Sequence, residues 1–167
     1  DALAVLGFSA IHTQLPTPTG PRGVALAERG VDADLDASTA AFADIFRWAF
    51  HWEDVEPALL EADMAAGYPL RGEGHPAWGS RTVPPAAVSM LSPGVVAAEA
   101  KAIDVPVLVA CGERDVVPDP RLEATAYQGS RDVSVLVVPT MAHMHNFASS
   151  REYLWRRVQL WAEAATP

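Results

Sequence analysis

The chain has a single cysteine, Cys111, and so closes no internal disulfide. Its place in the apolar run VLVAC, residues 107–111, reads as that of a small buried core residue. Basic residues are scarce as well: 12 Lys and Arg stand against 21 Asp and Glu, a net charge of −9. Nucleic acid and anionic membrane surfaces both demand a basic patch, so this balance argues against either as the main partner. No apolar stretch approaches the ~20 residues needed to span a bilayer. No secretory leader is read in these residues, and a cytoplasmic location is the default expectation. The sequence starts at Asp1 without a methionine, and the true N-terminus is expected upstream. Neither an internal repeat nor a low-complexity tract is present.

What is there suits one soluble domain: 167 residues, half of them hydrophobic and a fifth charged. Residues 2–6, ALAVL, make a short apolar run ended by Gly7, the pattern of a strand buried on both faces. Residues 14–23, QLPTPTGPRG, carry three prolines and two glycines and read as a loop. Ser38 or Thr39 can cap a helix running to about Trp52. Phe42, Ile45, Phe46, Ala49 and Phe50 form one stripe of that helix. Trp48 and Trp52 widen the stripe past half the circumference, leaving Asp44, Arg47 and His51 for the polar arc. A helix this apolar needs cover on two sides, or it roofs a pocket. A short second helix has Pro57 in its first turn, Leu59, Leu60 and Met64 facing inward, and Gly67 as a stop. Residues 68–85 hold three glycines and four prolines, a long loop of the kind used as a lid or binding segment. Their Gly-Glu-Gly is no phosphate cradle, because no third glycine or helix start follows in register.

The second half is more regular. Val95–Lys101 predicts a helix, Val105–Ala110 a buried strand, Arg121–Tyr127 a helix and Val133–Val138 another strand. A last helix begins at Ser149, where Ser149 and Glu152 have capping-box spacing, with Leu154, Trp155, Val158 and Trp161 on its inner face. Strand and helix alternating through short links predict an α/β fold with a mostly parallel sheet.

Ligands of open α/β sheets collect beyond the carboxyl ends of the strands. Two polar turns reach that edge. CGERDVVPDP, residues 111–120, brings Asp115, and PTMAHMHNF, residues 139–147, brings His143. An acid that orients a histidine, which then takes a proton from a nucleophile, is the logic of a catalytic triad. Glu113 and Asp119 are rival acids. By default Phe46, Trp48 and Trp52 are core residues; their functional reading is an apolar wall around an acyl or aromatic substrate, with Met144 beside the histidine. His143 and His145 with Asp115 also invite a metal reading, but no other histidine or cysteine has supporting spacing. No metal or other cofactor is expected.

The stretch VPVLVACGERDVVPDP, then a strand, His143 and a terminal helix, resembles the last third of an α/β-hydrolase. In that family the acid follows strand seven in a Gly-x-x-Asp turn, the histidine follows strand eight, and the chain order is nucleophile, acid, histidine. The resemblance covers residues 103–162, is weaker over 2–8, and is compositional alone over 31–95, where many members insert a helical cap. It implies Asp115 as the acid and His143 as the base, with His145 a neighbour. It divides the chain into strand six with a Pro-rich linker (1–30), a cap or lid (31–95) and a C-terminal core segment (96–167).

The family's serine sits in a small-x-Ser-x-small turn that leads into a helix. GFSAI, residues 7–11, is a partial match, but Ile11 is bulky and a proline-rich loop follows, so Ser9 is better read as ending strand six. The resemblance therefore places strands one to five, the nucleophile and the oxyanion-hole amides upstream. Three parallel strands leave one edge unpaired and both faces short of cover, so an N-terminal half of the same fold is the expected partner. The expected activity is hydrolysis of an ester, thioester or similar bond in a small apolar or acyl substrate. Rival readings keep the dyad for carbon–carbon bond hydrolysis or dehalogenation, or make the chain a non-catalytic ligand-binding module.

Overall fold

Every second residue of the run at 107–111 faces one of two apolar layers, and this places it at the centre of the sheet. The computed structural model describes residues 1–20, 22–23, 43–65, 74, 77–78 and 92–165. Strands β1 (Leu3–Leu6), β4 (Val107–Arg114) and β5 (Val133–Ala142) form a parallel sheet in the order β1-β4-β5. On one face Leu108 and Ala110 pack with Leu136, Val138, Met141, Ala148 and Leu154. On the other, Val107 and Val109 pack with Ala10, Ala100 and Tyr127, flanked by Leu3, Val5 and Val133. A central parallel strand is covered on both sides, so its sequence is continuously apolar rather than alternating. Within the expected loop at 14–23, β2 (Gln14–Leu15) and β3 (Arg22–Gly23) make a two-residue antiparallel pairing.

Five helices accompany the strands among the described residues: α1 (Ala43–Phe50), α2 (Pro57–Met64), α3 (Ala97–Ala102), α4 (Pro120–Glu123) and α5 (Arg151–Ala165). None is long and apolar enough to cross a membrane. Ser38, Thr39, Phe42, Gly67 and most of the 68–85 segment lie outside the described residues.

Several boundaries differ from the sequence expectation. α1 ends at Phe50, two residues before Trp52. α3 begins at Ala97 because residues 93–96 form turns first. α4 is one turn long, where a helix to Tyr127 is expected. Asp119 accepts the Arg121 N–H and Pro120 occupies the first turn, which fixes the start. Thr125 Oγ1 then donates to the Leu122 carbonyl and the chain continues in turns. The capping box gives way to tertiary bonds: the Ser149 hydroxyl donates to Asp54 Oδ2, and the Ser150 hydroxyl to the Thr140 carbonyl. Leu154, Val158 and Trp161 of α5 meet the core as expected. Trp155 is instead 45% exposed, its indole N–H donating to Asn146.

The two long strands run past their expected ends for a shared reason. Gly112 pairs with Val138 and Arg114 with Ala142, so β5 takes four steps where β4 takes two. This is a β-bulge on the strand that ends the sheet among the described residues, where Pro139 removes no ladder bond that the sheet needs. Thr140 within it holds a φ of 52°, costly for a β-branched residue. Its N–H is taken by Glu113 and its carbonyl by Ser150. The bulge presses onto β4 so closely that a Cβ on Gly112 would lie 2.4 Å from the Met141 carbonyl oxygen. Gly112→Ala is expected to destabilise the protein by about 3 kcal/mol or more, read as a lower urea midpoint at unchanged slope. An unchanged midpoint would show that the bulge can retreat freely.

Candidate active site

Three strand ends converge at one rim of the sheet. β1 leads into Gly7, whose N–H donates to the Ala110 carbonyl at 2.9 Å. β4 leads into Asp115, and β5 into His143 and His145. The Asp115 side chain is fully buried and its two oxygens collect four hydrogen bonds. Oδ1 accepts the Val116 N–H at 2.7 Å and His143 Nδ1 at 2.8 Å. Oδ2 accepts the Gly112 N–H at 2.8 Å and His145 Nε2 at 2.7 Å. Burial by itself would raise the pKa of this carboxyl. The hydrogen bonds from His143 and His145, and the positive charge either ring carries when protonated, outweigh it and hold the group well below the usual carboxylate range.

Because a carboxylate only accepts, each imidazole must present an N–H to it, which fixes the neutral tautomers. His143 carries its proton on Nδ1 and has its lone pair on Nε2, and the side chain is 29% exposed. Among the described residues no hydrogen bond engages that Nε2. A neutral imidazole in this state can accept a hydroxyl or thiol proton while Asp115 steadies the resulting cation. Gly7 allows the rings to lie where they do: it has a φ of 60°, and a Cβ there would stand 3.1 Å from His145 and 3.2 Å from His143.

The rival acids are placed elsewhere: Glu113 holds Thr140, and Asp119 caps α4. Ser9 is buried, its hydroxyl donating to Glu123 Oε1 at 2.5 Å and accepting the N–H groups of Ile11 and His12. It lies in the turn beyond β1, which ends at Leu6. Cys111 is also buried, and burial first, then the charges of Asp115 and Glu123, push its thiol up to about 12. The carboxylate-facing nitrogens of His143 and His145 are N–H donors, and among the described residues no group of three His, Cys, Asp or Glu is arranged to hold a metal ion.

Of the four expected wall residues, two lie by the histidine turn. Met144 is part of it, its N–H donating to the Phe50 carbonyl at 2.8 Å. Phe46 packs on Phe50 at 5.1 Å, and Phe50 on the His143 ring at 4.7 Å between centroids. Trp48 and Trp52 instead flank the Arg114 guanidinium, at 4.1 and 4.6 Å from their ring centroids. Phe50, whose ring meets His143, is left in the general stripe by sequence reasoning; helical periodicity cannot tell which stripe member meets the histidine.

His51 is a correction. It is 3% exposed rather than part of a polar arc, because it lies just past the end of α1, where the helical wheel no longer applies. Its Nε2 bonds to the buried Asp63 Oδ2 at 2.8 Å, and its ring lies 5.6 Å from that of Phe147. The described region thus holds two buried aspartates paired with histidine, Asp115 with two rings at the sheet rim and Asp63 with one between α1 and α2.

No protein-family model matches this chain, and a search of curated proteins finds no match either.

The lowered pKa of Asp115 has a sign in stability. With its folded value below the unfolded value of about 3.9, the stability Asp115 contributes is full above that pH and is lost as pH falls toward the folded value. Asp115→Asn is expected to lower stability at neutral pH by roughly 2–4 kcal/mol and to flatten the decline below about pH 4. Urea unfolding across that range measures both. An unaltered acid slope would mean the carboxylate is not held as described.

Proposed function

We propose that this chain supplies the acid and the base of a hydrolytic triad of the α/β-hydrolase type. β1, β4 and β5 take the places of strands six, seven and eight, and residues 31–95 that of a cap. The observation that carries this reading is the Asp115–His143 pair. A buried, strongly ionised carboxylate fixes an imidazole as the Nδ1–H tautomer with Nε2 open, the state a general base requires. In the proposed reaction Nε2 takes the proton of an attacking nucleophile and returns it to the leaving group, so ester, thioester and related bonds are the substrate class. Phe46 and Phe50 beside His143 favour an apolar or acyl substituent. The residues in these roles need no cofactor.

The nucleophile is proposed to come from outside these 167 residues. Ser9 and Cys111 are ill suited to that role, since the first has its hydroxyl bonded to a buried glutamate and the second is an inert buried thiol. β1 pairs with β4 on one side only among the described residues, which leaves its other edge available to further strands of an N-terminal half.

The test uses the full-length protein, a short-chain aryl ester and a fluorophosphonate probe. His143→Ala is expected to reduce kcat by about four powers of ten, whereas Ser9→Ala stays within a few-fold of the parent. Probe labelling at a serine outside residues 1–167, lost in His143→Ala, supports the reading. Hydrolysis or labelling indifferent to His143, or abolished by Ser9→Ala, would overturn it.

A further inference from the structure

Two histidines share one carboxylate at the rim, and the function proposed above uses only His143. The two rings are held in opposite senses. His143 faces Asp115 with Nδ1, whereas His145 faces it with Nε2, at 2.8 and 2.7 Å. His145 is the more enclosed, with 10% of its side chain exposed against 29% for His143. Its ring stands nearly edge-on to that of His143, 6.2 Å between centroids at 70°, and both occupy the space that a Cβ on Gly7 would need. On the carboxylate each oxygen has one backbone N–H and one imidazole, so neither oxygen has a spare place in a buried site.

From this geometry we infer that His145 is a positioning residue for the Asp115–His143 pair, holding Oδ2 so that Oδ1 stays aimed at Nδ1 of His143. The inference rests on the reading of His143 as the base and assigns His145 a part in it. Removing the Nε2–H donor leaves Oδ2 with the Gly112 N–H alone in a dry site, a deficit that water or rotation of the carboxylate would relieve. Emptying the ring volume also gives His143 room to turn over Gly7. Either change lets the Nδ1–H tautomer of His143 mix with the other, which puts a proton on the nitrogen that must accept one. A filler in the core would not act this way, because its loss would weaken the fold without changing which imidazole nitrogen is protonated.

Glutamine sets its amide nitrogen about as far along the side chain as histidine sets Nε2, so His145→Gln can keep the donor and His145→Leu cannot. Tautomers are read by 15N–1H correlation on the imidazoles of the full-length protein, without substrate, at a pH where both rings are neutral. In the parent protein His143 is expected as Nδ1–H and His145 as Nε2–H. In His145→Leu the Nδ1–H signal of His143 is expected to weaken or mix, with kcat down roughly tenfold to a hundredfold and KM little changed. His145→Gln is expected to restore both. Two identical tautomers in the parent would overturn the inference, even if no variant folds. So would His145→Leu with an unaltered His143 signal and full kcat. Because the tautomers are measured without turnover, a protein that hydrolyses nothing yet shows the opposed pair would fail the proposed function and leave this inference standing.

Discussion

One buried negative charge organises the rim of this sheet. An ionised carboxylate removed from water is tolerated only where its lone pairs are met by donors, and Asp115 has four. Two come from the backbone of its own turn and two from the segment after β5. The ends of β4 and β5 must therefore stay in register to within a fraction of an ångström. The bulge opposite Gly112 sets that register, since it shortens the reach of β5 just before His143. The absence of side chains at residues 112 and 7 is thus part of the electrostatics: each lets another segment come close enough to place a donor.

The helices beside the rim are tied to it by the neighbour of the same aspartate. Arg114 turns away from Asp115 and lies between Trp48 and Trp52, with Glu53 at 2.5 Å and the His51 carbonyl at 2.7 Å. Stacking makes that guanidinium a broad anchor rather than a single ion pair. The Met144 N–H on the Phe50 carbonyl and the Ser149 hydroxyl on Asp54 add two further ties to the opposite strand end. Whatever moves α1 would therefore disturb both the acid turn and the histidine turn. The enclosed His51–Asp63 pair, which fastens the end of α1 to α2, stiffens the same unit from behind.

The pairing of Asp115 with His143 was legible because strand ends are legible: a continuous apolar run fixes where β4 lies, and the next polar turn must emerge at its carboxyl edge. The three-strand parallel sheet followed from the same reasoning. His145 as a donor was not legible, because two residues beyond a strand the direction of a side chain depends on the turn, and here a one-turn 3₁₀ helix at His145–Phe147 swings it back. Trp48 and Trp52 read as wall residues because amphipathic patterning reports burial and not the partner. Their partner is a cation far away in sequence, and no local pattern encodes that. The length of β5 was hidden by Pro139 and Thr140, which argue against a strand unless a bulge is known to be there.

Two nucleophile-type side chains of the described residues, Cys111 and Ser9, are disabled by different physics. Cys111 lies within β4, the central strand, where forming a thiolate would bury a charge beside two carboxyls. Ser9 is blocked by a bond it makes well: its proton goes to Glu123, whose own pKa is raised chiefly by burial, and its lone pairs go to two backbone amides. A hydroxyl with all its hydrogen-bonding capacity used has nothing left to offer His143. The Ser9–Glu123 contact is instead a brace, fastening the turn after β1 to α4 together with the Ala10 N–H, which donates to the same carboxyl. On the proposed reading the rim is consequently an acid and a base assembled to meet a group from elsewhere, and its internal polar residues stabilise that preparation rather than compete for the proton.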